Sequence, residues 1–356
     1  EQEHATTLNN LAMALAEVGD LNQALRYCSD GLAMRRRLGP RYPIALSLNT
    51  MGLIEVRYDH LHRAKEYCER ALAIFTEMEQ PRGVGLAGIA AAETLRRTAE
   101  RAGIHTPYEQ GALLRDAEKY ARTAVEIFSS KDDPKKKEQA RLVEALIELG
   151  CVYRDWARLR PQYTWDDDPQ ALELEAQSEK VLRQAAAEAH VPVPFREVEA
   201  RVNLAWLYFY KGERERAERM VHEEILPLIS RDYLIIEGSS VPHPDEPITF
   251  YWVQLGKTHI LLGEIEAGAY SALYDKLKSV GSDTAPALKH QRQAAEEYTL
   301  ALAYDELFAS DFRDMERGLD RIYDTLKTLN PQELDVVSRA IRDTEQKYNL
   351  PPPSRM

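Results

Sequence analysis

Apolar residues recur at helical spacing from the start of the chain. Leu8, Leu11, Ala12 and Leu15 form one stripe, and Leu21, Ala24, Leu25 and Cys28 form the next. Val18-Gly19-Asp20 lies between them, a polar break that ends one helix and starts another. The pattern then repeats. Leu8-Asn9-Asn10-Leu11-Ala12 aligns with Leu48-Asn49-Thr50-Met51-Gly52, an offset of 48 − 8 = 40. The same offset carries Ala24 onto Ala64, Tyr27 onto Tyr67, Cys28 onto Cys68 and Gly31 onto Ala71. A single helical hairpin cannot bury its own apolar faces, so neighbouring hairpins must stack into one continuous core. Small residues such as Ala12, Gly52, Ala24 and Ala64 fall where the two helices of a hairpin approach each other.

The string Leu146-x-x-Leu149-Gly150-x-x-Tyr153 extends the pattern, with partial echoes at Arg201-x-x-Leu204-Ala205-x-x-Tyr208 and Trp252-x-x-Leu255-Gly256-x-x-His259. At these residues the chain resembles the tetratricopeptide repeat family. The first two units, bridged by Leu38-Gly39-Pro40-x-Tyr42-Pro43, are similar to the longer kinesin-light-chain-like variety. That variety also occurs in the sensor regions of bacterial STAND-type signal-transduction ATPases. The resemblance implies an all-α, right-handed superhelix of about seven helix pairs with a C-terminal capping helix.

Regularity breaks between Arg96 and Gln110, between Arg160 and Gln170, and most of all around Glu237 to Pro247. Within the second break, Asp168-Pro169 reads as a helix start, Asp168 capping and Pro169 in the first turn. The expected organisation is repeats over 1–236, an irregular bend at 237–249, repeats over 250–330, and a capping helix with a Pro-rich tail over 331–356. The first residues enter a repeat helix almost at once, so an upstream domain in the same parent chain is expected.

Of 356 residues, 44% are hydrophobic and 29% charged, which suits a folded chain. The formal net charge is 46 − 58 = −12, a balance that disfavours direct nucleic-acid binding. No apolar run approaches the roughly 18–20 residues of a membrane span. Cys28, Cys68 and Cys151 form neither a disulfide framework nor a metal spacing, so they read as small core residues in a reducing cytoplasm. Gly83-Val84-Gly85-Leu86-Ala87-Gly88 matches a dinucleotide-binding pattern, yet no strand precedes it, and close helix packing explains the glycines better. Gly256-Lys257-Thr258 lacks the earlier glycine of a P-loop, with Tyr251 in its place, and His222-Glu223-Glu224 lacks the second histidine of a zinc-protease helix. No catalytic residue, metal or cofactor is expected.

In tetratricopeptide arrays the first helix of each pair lines a concave groove. The resemblance therefore implies a protein or peptide partner held there, with candidate contacts Asn10, Asn49, Arg57, Asn203, Trp206, Tyr210, Gln254 and Lys257. Asn9, Glu148, Arg154, Asp155, Val202, Phe209 and Leu261 fall in the same register. Amides both donate and accept, so they can grip a peptide backbone. Trp206, Phe209 and Tyr210 make their helix apolar nearly all round, as either extra core or a binding hot spot. The expected role is a non-catalytic recognition module, most simply the sensor of a STAND-type ATPase. A ligand-binding domain of a peptide-responsive transcriptional regulator and an oligomerisation scaffold are the alternatives.

Overall fold

A computed structural model describes residues 1–17, 19–101, 105–129, 138–160, 168–190, 194–232, 251–307 and 331–348. The described residues are helices and short turns, with no strand among them. They form two compact units, Glu1–Lys211 and Gly212–Met356. The irregular segment expected at 237–249 lies outside the described residues.

The N-terminal unit is a series of hairpins: α1 (Gln2–Glu17) with α2 (Leu21–Leu38), α3 (Arg41–Arg57) with α4 (Leu61–Glu77), α5 (Pro81–Ala99) with α6 (Pro107–Ser129), and α7 (Gln139–Leu159) with α8 (Pro169–Ala189), followed by α9 (Pro194–Tyr210). Packing within each hairpin is closer than packing between hairpins, as the 40-residue echo requires. Ala12, Ala24, Cys28, Gly52, Ala64, Cys68 and Ala71 are all buried. Gly52 shows why small residues are needed, since a Cβ there would stand 2.6 Å from Cys68 Sγ. Turn chemistry matches the breaks. Gly19 takes φ 90°, and the Asp20 carboxylate accepts from Gln23 N–H at 3.1 Å to cap α2. Asp168 caps α8 by accepting from Gln170 N–H at 3.0 Å, with Pro169 in the first turn.

Two expected irregularities are shorter than the sequence suggested. Helix α5 continues to Ala99, so Arg96 lies on a helix rather than in a loop, and α6 already begins at Pro107. The glycine run belongs to α5 and serves packing: Cβ atoms on Gly83 and Gly85 would collide with Phe75 and Phe128.

The odd-numbered helices of this unit also touch one another in sequence, α1 to α3, α3 to α5, α5 to α7 and α7 to α9, while the even-numbered helices stand further apart. The stack therefore bends with its odd helices on the inner side.

In the C-terminal unit, α10 (Arg214–Met220) runs through a π-turn at Val221–Ile225 into α11 (Leu226–Asp232). The long α12 (Tyr251–Ser279) and α13 (Leu288–Leu307) form a further hairpin, and α14 (Pro331–Tyr348) follows. Val337 and Ile341 of α14 bury against Ala294, Ala295 and Tyr298 of α13, so the expected terminal helix has an apolar face of its own. At the end of α12, Ser282 N–H donates to Leu277 O at 2.9 Å and Gly281 N–H to Lys278 O at 3.1 Å, a glycine-dependent stop with φ 66°.

Candidate functional site

The inner face of the N-terminal unit is built by side chains one turn apart on α3, α5, α7 and α9. Its neighbouring helices are joined by polar contacts at every step. Between α1 and α3, Ser47 Oγ donates to Asn9 Oδ1 at 3.1 Å, and Arg57 donates to the Ala16 carbonyl at the end of α1. Arg101, just beyond α5, reaches Asp59 at the end of α3 at 2.8 Å. Between α7 and α9, Arg154 Nη1 donates to Asn203 Oδ1 at 2.6 Å and Arg196 Nη2 to Glu144 Oε1 at 3.0 Å.

The α5–α7 step is the most highly charged. Arg96 Nε donates to Glu148 Oε1 at 2.7 Å and Nη2 to Oε2 at 3.2 Å, while Nη1 donates to Asp155 Oδ2 at 2.9 Å. Glu100 Oε2 stands 3.8 Å from the same Nη1, and Glu100 Oε1 accepts from Arg158 at 2.6 Å. Arg154 closes the cluster with two bonds to Asp155, at 2.8 and 3.1 Å. Burial of all these groups is offset by mutual pairing, as buried charges require. Asp155, fully buried, is held well below the usual carboxylate range: burial opposes this, but Arg154 and Arg96 together outweigh it. Glu148 goes the other way, burial pushing it up to about 7 against the pull of Arg96. Arg96 occupies the position among three carboxylates that a metal cation would otherwise fill.

Beside this cluster lies an aromatic group at the end of α9. Trp206 and Phe209 are half-buried, and Tyr210 is 40% exposed. Their ring centroids lie 5.5–5.8 Å apart. The Arg158 guanidinium sits 5.1 Å from the Tyr210 ring centroid and that of Arg154 sits 6.0 Å from it, the distance of a cation–π contact.

The candidate contacts fall into four situations. Asn203, Trp206 and Tyr210 are brought together on α9, with Asn203 also donating to Glu199 O at 2.9 Å. Asn10 is exposed on α1. Asn49, on α3, is only 6% exposed, and its Oδ1 accepts no hydrogen bond. Arg57 is committed to the end of α1. Gln254 and Lys257 belong to α12 of the C-terminal unit; Gln254 is buried and its Oε1 is also without a partner, while Lys257 is half-buried. Val202 and Leu261 are core residues, because each faces the packed side of its helix, and Asn9 is buried in its bond with Ser47. Arg96, Glu100 and Arg158 escaped sequence reasoning.

Residues 3–77 match the tetratricopeptide repeat family model. The matched span covers α1 to α4. No curated protein matches the chain. Beyond the tetratricopeptide span, α5 to α9 continue the same hairpin packing, and Gly150 and Tyr153 of α7 take the small and aromatic places of the repeat. Among the described residues, no helix is long and apolar enough to cross a membrane.

Proposed function

We propose that the inner face of the N-terminal unit is a protein- or peptide-binding groove and that the chain is a non-catalytic recognition module. The observation that carries this reading is the aromatic group of α9. Most polar side chains of the inner face are engaged with each other, whereas Trp206, Phe209 and Tyr210 keep apolar area partly open beside two guanidinium groups. Aromatic side chains of this kind contribute much of the energy of protein interfaces. The buried amide oxygen of Asn49 adds an acceptor for a backbone N–H on the same face. In a parent protein, the module would serve as the ligand-sensing part of a bacterial STAND-type ATPase acting in the cytoplasm, with the catalytic chemistry in a separate domain.

Selection of peptides from a random displayed library on the full chain tests the reading. Selected peptides should lose at least about tenfold in affinity, about 1.4 kcal/mol, on Trp206→Ala or Tyr210→Ala. Lys65→Ala, on the exposed side of α4, should leave affinity unchanged, and circular dichroism should be unaltered in all three. Equal loss for Lys65→Ala, or none for the two aromatic variants, would rule the groove out.

A further inference from the structure

One guanidinium, Arg96, ties the third hairpin to the fourth, and it does so through carboxylates that compete for it. Glu148 holds it by two bonds, Asp155 by one, and Glu100 approaches from its own helix end at 3.8 Å. The groups facing Glu148 are Glu93, Arg96 and Glu100 from α5 and its end, and Cys151, Arg154, Asp155 and Arg158 from α7 itself. Glu93 is paired with Arg97 at 3.2 Å. From α9 come the neutral Asn203 amide, bonded to Arg154, and the Tyr210 hydroxyl. The charged groups nearest on α6 and α8, Glu118 with Arg122 and Glu179 with Arg183, are engaged with Tyr153 and Tyr208.

We propose that the α5–α7 seam is a proton-operated joint, in which Glu148 takes a proton from solvent on Oε2 and so exchanges a bidentate clamp on Arg96 for a single bond. The bond given up is the longer one, from Arg96 Nη2 at 3.2 Å. Asp155 remains the ionised anchor, so the hairpins stay joined while the inner face gains one positive charge. Three observations converge on Glu148 as the acceptor. It is buried, it stands near two other carboxylates, and Arg96 already has Asp155 as a partner that does not titrate in the same range. The joint is independent of what the groove binds.

The sign follows from linkage. Burial raises Glu148 from its ordinary 4.5 to about 7, so the folded chain holds this proton more tightly than the unfolded chain. The stability it contributes is fully present below pH 4.5 and is lost as pH rises through about 7.

Glu148→Gln mimics the protonated state. The melting temperatures of the full chain and of this variant should converge at pH 5, and the variant should melt higher at pH 8.5. The Glu148 carboxyl carbon, assigned through the same variant or Glu148→Asp, should titrate near pH 7 in the wild type. A melting difference that stays constant from pH 5 to 8.5, or a variant that melts lower at pH 8.5, would overturn the proposal. A carboxyl midpoint at or below the ordinary value would do so even if the Gln variant fails to fold.

Discussion

The Tyr153 hydroxyl donates to Glu118 Oε1 at 2.9 Å, joining the first helix of one hairpin to the second helix of the hairpin before it. The contact recurs one repeat later, where the Tyr208 hydroxyl donates to Glu179 Oε1 at 3.0 Å. In each case the glutamate is also paired with an arginine one turn on, Arg122 at 2.8 Å and Arg183 at 2.9 Å. The aromatic place of the repeat is thus a polar clasp as well as a core position: burial of the phenol ring needs an acceptor for its hydroxyl. Burial and the adjacent glutamate both push the Tyr153 hydroxyl pKa upward.

Removing one hydroxyl tests the clasp. Tyr153→Phe should cost about 1–1.5 kcal/mol, because the lost bond had a charged acceptor, but one that keeps its arginine. Tyr208→Phe should cost a similar amount, and the double variant should lose the sum, since the two clasps share no partner. Urea unfolding at constant m-value would measure this. Loss in one variant with none in the other would show that the contacts are not equivalent.

Arg35 marks a departure from the repeat. The 40-residue offset places it at the position of Phe75 (35 + 40 = 75), and both are buried. Phe75 fits against Gly83, where a Cβ would stand 2.2 Å from the ring. The residue facing Arg35 is Pro43, which leaves no such space. Arg35 instead donates to Pro43 O and Ser47 Oγ, each at 2.8 Å, and to Thr6 Oγ1 at 3.4 Å. Its acceptors are neutral, and burial lowers its pKa. Arg35→Ala should therefore destabilise by about 2–4 kcal/mol through the cavity and the stranded acceptors. Arg35→Met refills the volume without a buried charge, and should fall within about 1 kcal/mol of the wild type. Thermal melts of the two variants separate these contributions, and equal losses would contradict the account.

All three cysteines are buried, and burial pushes each thiol up to about 12. A thiolate is the reactive form, so the native chain should resist alkylation at pH 8. Mass spectrometry should find no iodoacetamide adduct on the folded chain and three after denaturation. A rapid adduct at Cys28 or Cys68 in the folded chain would mean that the first two hairpins open locally.

The hairpins themselves were legible because their cause is local. Leu8 and Leu48, Ala24 and Ala64, and the Asp168-Pro169 start each depend on residues within one or two turns. The inner-face cluster was not legible for the opposite reason. Arg96 reaches Glu148 and Asp155 across 52 and 59 residues, and Arg158 reaches Glu100 across 58. No short-range spacing encodes such pairs. Arg96 was further obscured because Gly103 and Pro107 nearby suggested a loop beginning too early. Val202 was misplaced because α9 is apolar on nearly every side, so its periodicity does not distinguish the packed side from the groove side. Asn49 and Gln254 were found from their register, but that each would be buried with an unpartnered oxygen depends on neighbouring helices.

The most direct test of the recognition account is hydrogen–deuterium exchange on the full chain with and without a peptide selected for binding. Slowed exchange in α5, α7 and α9, with α4, α6 and α8 unchanged, is the predicted result. Slowing confined to the even-numbered helices, with the odd-numbered helices unaffected, would contradict it.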